Sequence, residues 1–523
     1  MLRAGFRDVR AWWLLAGIGL AAFGSSIASS AGEAPHVNPS PTEQIIISYE
    51  REQRSRAHWL LKSISGTAKG SKLGDASELW TVPTSHLKRL GLQLRLVGSK
   101  ITRLPEDWSH LFKRDPKVAL SPAQDEMIKR ARTSSEFVGM DLVRAQSAAV
   151  AEYALNIGAD APARPGVAPP PKTVTRISIP VGEGGQVTVQ RVEARRTSKG
   201  LLWRGTVEES GESALLMWWK EGRLSGLIAY RGRIYTVLNA GDDVYAVIES
   251  DPAKVPPDHA PMTSDEARTL GDRIAELAPG QTSGSEPAEV KPFSEEERRA
   301  LEAKQVTIDL MMLYTKKAAS RYLQNPADVI ELAVEQANAT FRNSGVGNVR
   351  LRLVHTQSID YDEADANKYD HLFRMVDGVG GFKEVHRLRN EKRADIVGLM
   401  LEEPSGCGVS TRVGAGAEDA YFVVHHSCAA LTISIAHEVG HILGARHDRS
   451  IDALDTPFPY GHGYVNGAKW RDIMSYHAAC GGCPRIPFWS NPRVTYHGEP
   501  TGTETEDNAR VILEQAARVA AFR

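Results

Sequence analysis

From residue 306 onward the apolar positions fall into two alternating periods. Residues 306–314, 349–354, 394–400 and 420–424 are short apolar runs of strand length. The 394–400 run is almost wholly apolar, which predicts a central parallel strand covered on both faces. Between these runs, residues 327–343 and 369–388 repeat at helical spacing. Pro326 suits the first turn of one helix, and the glycines of 378–381 interrupt the other. Ile435, Val439, Ile442 and Leu443 then follow i, i+4, i+7, i+8, the stripe of one buried helix face. Strands alternating with helices predict an α/β (α+β) domain over 305–523, with a twisted, mostly parallel sheet.

The first half has another texture. Within 172–252, short strand-like runs recur between glycine-rich and charged turns, the pattern of a small antiparallel β domain. Trp218 and Trp219 could give such a domain an aromatic platform, but neighbours on a strand face opposite sides, so one of them is expected in the core. In the N-terminal stretch, 32–165, residues 45–61 and 126–155 read as helical and 90–104 as strand-like, with no chemistry attached. Residues 161–171 form a stiff proline-rich linker, and 253–304 a Pro/Glu/Ser/Ala-rich one open to proteases.

Arg3, Arg7 and Arg10 precede the apolar run 11–23, and small residues follow to Ala31. That order predicts a secretory signal peptide over 1–31, the run being too short to span a bilayer comfortably. The expectation is therefore a secreted or periplasmic monomer, with no stable membrane association after signal removal. Charge narrows the partners further. With 63 basic and 64 acidic residues the net charge is −1, which offers nothing to nucleic acid. The four cysteines, Cys407, Cys428, Cys480 and Cys483, all lie late in the chain. In an exported protein they predict two disulfides. Three connectivities are open, with Cys407–Cys428 and Cys480–Cys483 favoured; a second zinc on four thiolates is the rival.

The chemistry concentrates in H-E-V-G-H-I-L-G-A-R-H-D, residues 437–448. His437 and His441 stand one helical turn apart on the face opposite the apolar stripe, as two ligands of a tetrahedral Zn2+ must. Glu438 can reach a water at the metal without ligating it. Gly444 lets the chain leave the helix so that His447 can return as third ligand. One zinc per chain is expected. A calcium requirement stays open, with no motif pointing to one.

This extended motif, followed by Ile473-Met474-Ser475-Tyr476 as a Met-turn, resembles the metzincin zinc endopeptidases. Asp448 after the last ligand resembles the reprolysin-like branch, and 488–495 with 507–511 resembles the bacterial peptidyl-Asp metalloendopeptidases. The resemblance implies protein or peptide substrates cut on the amino side of Asp, with Glu438 as general base and Met474 as a hydrophobic floor under the ligands. It implies that 420–424 is the edge strand on which substrate pairs, and that Tyr476 lies near the reacting carbonyl. The segment after the Met-turn lines the first primed pocket, which makes Arg485 the candidate reader of a carboxylate. Everything between signal and linker then reads as a propeptide. No cysteine precedes Cys407, so latency needs a carboxylate, a histidine such as His110 or His259, or bulk. The alternative is a secreted binding or adhesion protein that uses its β domain, with catalysis secondary.

Overall fold

In the computed structural model, five strands form the sheet of the C-terminal half, in the order Val349–Ile359, Val306–Thr315, Ile396–Leu401, Tyr421–His425, Gly408–Ser410. The first four are parallel and the last is antiparallel to its neighbour. The residues described are 42–49, 51–65, 71–72, 77–103, 111–145, 176–182, 184–197, 199–219, 223–241, 243–258, 291–322, 325–363 and 366–523. Both faces of the sheet are covered, which is why its central strands read as continuous apolar runs. Ile308, Leu310 and Met312 point to one side, where they meet helices Pro326–Asn343, Ser434–Leu443 and Asn508–Val519. Met311 and Leu313 point to the other, against Leu372 and Met375 of helix Lys368–Asp377.

One expectation needs correcting here. Strand Tyr421–His425 is interior, paired on both sides, and the edge is the three-residue strand Gly408–Ser410. That strand is too short and too glycine-rich to register as an apolar run. It folds back against 422–424 and closes the sheet with an antiparallel member. Asn338, within a glycosylation-type triplet, is buried and exchanges hydrogen bonds with the backbone of Leu351, so its amide ties helix to strand.

Nine antiparallel strands make the large sheet of the first half, in the order Phe112–Arg114, Phe137–Ala145, Val244–Ser250, then back in sequence through Arg233–Gly241, Leu224–Tyr230, Ser213–Trp219, Gly200–Val207 and Gly185–Arg196 to Arg176–Val181. The 161–171 stretch, outside the described residues, thus connects strands of a single sheet. Trp218 packs among Trp203, Leu216 and Val237 on one face. Trp219, with Leu202, Leu215, Met217 and Leu227, packs on the other against helix Pro326–Asn343. Both indoles are buried, so this pair supplies no exposed platform. The seam is closed by charge as well. Asp328, Glu331 and Glu335, spaced i, i+3, i+7 on that helix, pair with Arg223, Lys199 and Arg195 of the sheet.

Three N-terminal readings change. Ile45, Ile46 and Ile47 lie in strand Thr42–Ser48, held between two partners, and the helix starts only at Arg54. Three β-branched residues in succession favour the strand. The alternating leucines after position 90 belong instead to helix Leu87–Leu96. Leu90 and Leu94 are buried while Leu92 and Leu96 are 68% and 79% exposed, a period of four that mimics a period of two. Helix Pro122–Ala131 stops early, and Phe137–Ala145 is a strand. The signal segment, His110 and His259 lie outside the described residues. Among the described residues no helix is long and apolar enough to cross a membrane.

Candidate active site

Helix Ser434–Leu443 owes its position to Ile435, Val439, Ile442 and Leu443, all fully buried in the core shared with helix Pro326–Asn343. Gly440 and Gly444 solve two separate packing problems on it. A Cβ on Gly440 would lie 2.7 Å from two ring atoms of Trp489 and 3.0 Å from Met474 Sδ. Trp489 cannot easily retreat, because it stacks on Phe341 and donates to Thr340 Oγ1 at 2.9 Å. Gly440→Ala is therefore expected to destabilise the fold by about 1–3 kcal/mol. A thermal melt checks this; an unchanged midpoint would show that the indole can slide aside. Gly444 ends the helix at φ 118°, and a Cβ there would lie 2.6 Å from the Phe458 ring, which glycine leaves room for.

Beyond that bend, Arg446 pairs with Gly461 and Gly463 through backbone hydrogen bonds, and the His447 carbonyl accepts from His462 Nδ1 at 3.0 Å. This returns the third imidazole to the other two. His447 Nε2 lies 3.2 Å from His437 Nε2 and 2.9 Å from His441 Nε2. His437 Nδ1 donates to the Ile473 carbonyl and His441 Nδ1 to that of Ala445, each at 2.9 Å. Those two bonds assign the Nδ1–H tautomer and aim the Nε2 lone pairs at a common point. Lone pairs brought so close repel unless a cation lies between them. Tetrahedral ligands about 2.0–2.1 Å from zinc would be about 3.3 Å apart, near the distances found. The donor set fits zinc.

Glu438 is buried, and burial pushes its carboxyl up to about 8, against the pull of the Ser410 hydroxyl and then Lys368. A dication at the histidines would draw it back down. Ser410 donates to its Oε2 at 2.9 Å, and a Cβ on Gly408 would meet Oε1 at 2.4 Å. Glycine at 408 thus lets the edge strand lie directly against the carboxylate. Met474 is fully buried beneath the helix. The turn around it is shaped by Asp472, which accepts from the backbone N–H groups of Met474 (3.1 Å), Ser475 (2.9 Å) and Ser490 (3.0 Å). Asp448 accepts from the Tyr476 N–H at 3.0 Å, tying the histidine segment to that turn. The Tyr476 ring packs on His447 with centroids 4.3 Å apart.

A second convergent set, Glu402, His425 and His426, is already internally paired. His426 Nε2 is 2.9 Å from Glu402 Oε2, and Arg321 Nε donates to Oε1 at 2.7 Å. The sulfurs of Cys407 and Cys428 are bonded, as are those of Cys480 and Cys483, and no described cysteine is free. Arg485 lies between the second bridge and the core, and its side chain is covered rather than solvated. Its guanidinium donates to the carbonyls of Thr432 (3.0 Å) and Ser475 (3.3 Å). Arg471 lies alongside, joined by backbone hydrogen bonds to Pro484 and Ile486.

Comparison with known proteins decides the family. Residues 304–490 match the model of a metallo-peptidase family, M12, of reprolysin type. The chain is 33% identical over 301 residues to a peptidyl-Asp metalloendopeptidase of Xanthomonas campestris, covering 57% of this chain and 67% of that protein. A second of the same name, from Stenotrophomonas maltophilia, is 31% identical over 323 residues, covering 60% and 72%. The chain belongs to the M12 metallopeptidases. It is a metalloendopeptidase, and the histidine triad is where this M12 enzyme can hold its metal. The sequence alone does not reveal Gly408, Ser410, Gly440 and Arg471, because each acts on a partner remote in sequence, nor Asp472, whose turn around Met474 is closed from Ser490 as well. Only H-E-V-G-H-type spacing, with its small fourth residue, hinted at Gly440.

Proposed function

We propose that this chain is an exported zinc endopeptidase, made as a precursor, that hydrolyses peptide bonds on the amino side of Asp. In this reading residues 1–31 direct export, 32–252 are the pro-region, and maturation cuts within 253–304. The domain over 305–523 is metzincin-like, with His437, His441 and His447 holding the metal. Held by these three imidazoles, a zinc ion would supply Lewis-acid chemistry, acidifying a water and polarising the scissile carbonyl. Glu438 takes the proton from the attacking water and delivers it to the departing amine. Ser410 fixes the carboxylate that does so. The backbone of Gly408–Ser410 is the edge available for an extended peptide, so that any sequence can bind through its main chain. Tyr476, whose ring is tilted against that of His447, donates to the carbonyl oxygen in this reading.

Preference for Asp rests on one observation above the others. Arg485, on the segment after the Met-turn, and Arg471, just before the turn and paired with that segment, are two buried cations with side chains 8% and 9% exposed. A buried guanidinium pair needs an anion, and a planar fork suits a carboxylate. The names of the relatives support the same reading. N-terminal sequencing of fragments from a denatured protein digest is expected to return Asp at the first position. Fragments whose first residues simply follow the composition of the substrate would overturn the preference.

A further inference from the structure

The anion those arginines hold in the precursor comes from the chain's own first half. Asp258 follows the last strand of the nine-stranded sheet by eight residues and reaches across to the other domain. Its Oδ1 accepts from Arg485 Nη2 at 2.7 Å. Its Oδ2 accepts from the His477 backbone N–H at 3.0 Å and lies 3.6 Å from Arg471 Nη1. The residue before it is held as well: the Pro257 carbonyl accepts from the Cys407 N–H at 2.7 Å, immediately beside the edge strand Gly408–Ser410. Main chain on the edge strand and side chain in a pocket on the facing wall is how an extended peptide is bound. Burial alone would raise the Asp258 carboxyl, but Arg485 and then Arg471 hold it well below the usual carboxylate range.

We infer that Asp258 is a built-in pseudosubstrate: its side chain fills the carboxylate pocket made by Arg485 and Arg471 and excludes substrate until the pro-region leaves. The inference rests on the acid-pocket reading above. It accounts for latency without a thiolate and without any pro-region ligand to the metal. The plug also leaves something over. Arg485 Nε is buried with no partner among the described residues. A carboxylate lying side-on to Nε and Nη2 would gain a donor that Asp258 does not use.

The full chain carrying Glu438→Gln, which should cut nothing, allows the test. Fluorescence anisotropy would follow binding of a labelled peptide with one Asp, and of the same peptide with Ala in its place. Adding Asp258→Ala is expected to tighten the Asp peptide roughly tenfold to a hundredfold, the worth of a charge-assisted contact, and to leave the Ala peptide unchanged. Asp258→Asn, which keeps the shape and removes the charge, should move the same way. If both chains prefer the Asp peptide but Asp258→Ala binds it no tighter, the plug is wrong and the pocket stands. If neither chain distinguishes the peptides, the acid pocket itself is wrong and the plug falls with it.

Discussion

Glu438→Gln is expected to lower kcat/KM by about a hundredfold to ten-thousandfold while the protein keeps one zinc per chain. The carboxamide is nearly isosteric and can still accept from Ser410, whose hydroxyl lies 2.9 Å from Oε2. It fits against the glycine at 408 no worse than the acid does. What it cannot do is take a proton from water. The three imidazoles stay where they are, because their anchors are the carbonyls of Ile473 and Ala445 and the backbone around His462. Metal analysis beside steady-state kinetics separates the two possibilities. Lost activity with zinc retained assigns the proton transfer to Glu438. Activity within a few-fold of the parent, with zinc retained, would take that role away.

That site was legible in the sequence to the extent that its parts are close along the chain. His437, Glu438, His441, Gly444 and His447 span little more than one helix and a bend, so periodicity and one glycine suffice to assemble them. The parallel strands were legible because burial on both faces writes an unbroken apolar run, as in 396–401. The edge strand was not, because three residues backed by a carboxylate carry no pattern, and the longer apolar run beside it took its place. Arg485 could be nominated from its position after Met474. Its companion Arg471 could not, since it comes before the turn and reaches the pocket only through pairing with 484–486. Asp258 was beyond reach altogether: 227 residues separate it from Arg485. In the first half the leucines of 87–96 show the complementary failure, a local pattern consistent with two periods until tertiary burial selects one.

Arg485→Leu should reverse the choice of substrate rather than simply weaken the enzyme. Removing one member of a buried, hydrogen-bonded charge pair costs about 2–5 kcal/mol, so kcat/KM for a peptide with Asp after the cut should fall roughly thirtyfold to a few thousandfold. Leucine fills much of the same volume, and a peptide with Leu at that position should be cut as well as before or better. Arg485 also donates to the carbonyls of Thr432 and Ser475, so the folded fraction of the variant is expected to fall. The ratio of kcat/KM for the two peptides, taken on the same preparation, is immune to that loss because the folded fraction cancels. Arg471 remains in the variant; burial first and the like charge of Arg485 second push its ionisation down to about 9, and the substitution removes the second of these. It lies farther from Asp258, 3.6 Å against 2.7 Å, and its fork is already turned to the carbonyls of Ser475 and Cys483. It should therefore keep a residual taste for acid without restoring the parent's. An Asp-to-Leu ratio left where it was would mean that the carboxylate is read elsewhere, and that Arg485 serves only to hold the wall after Met474 in place.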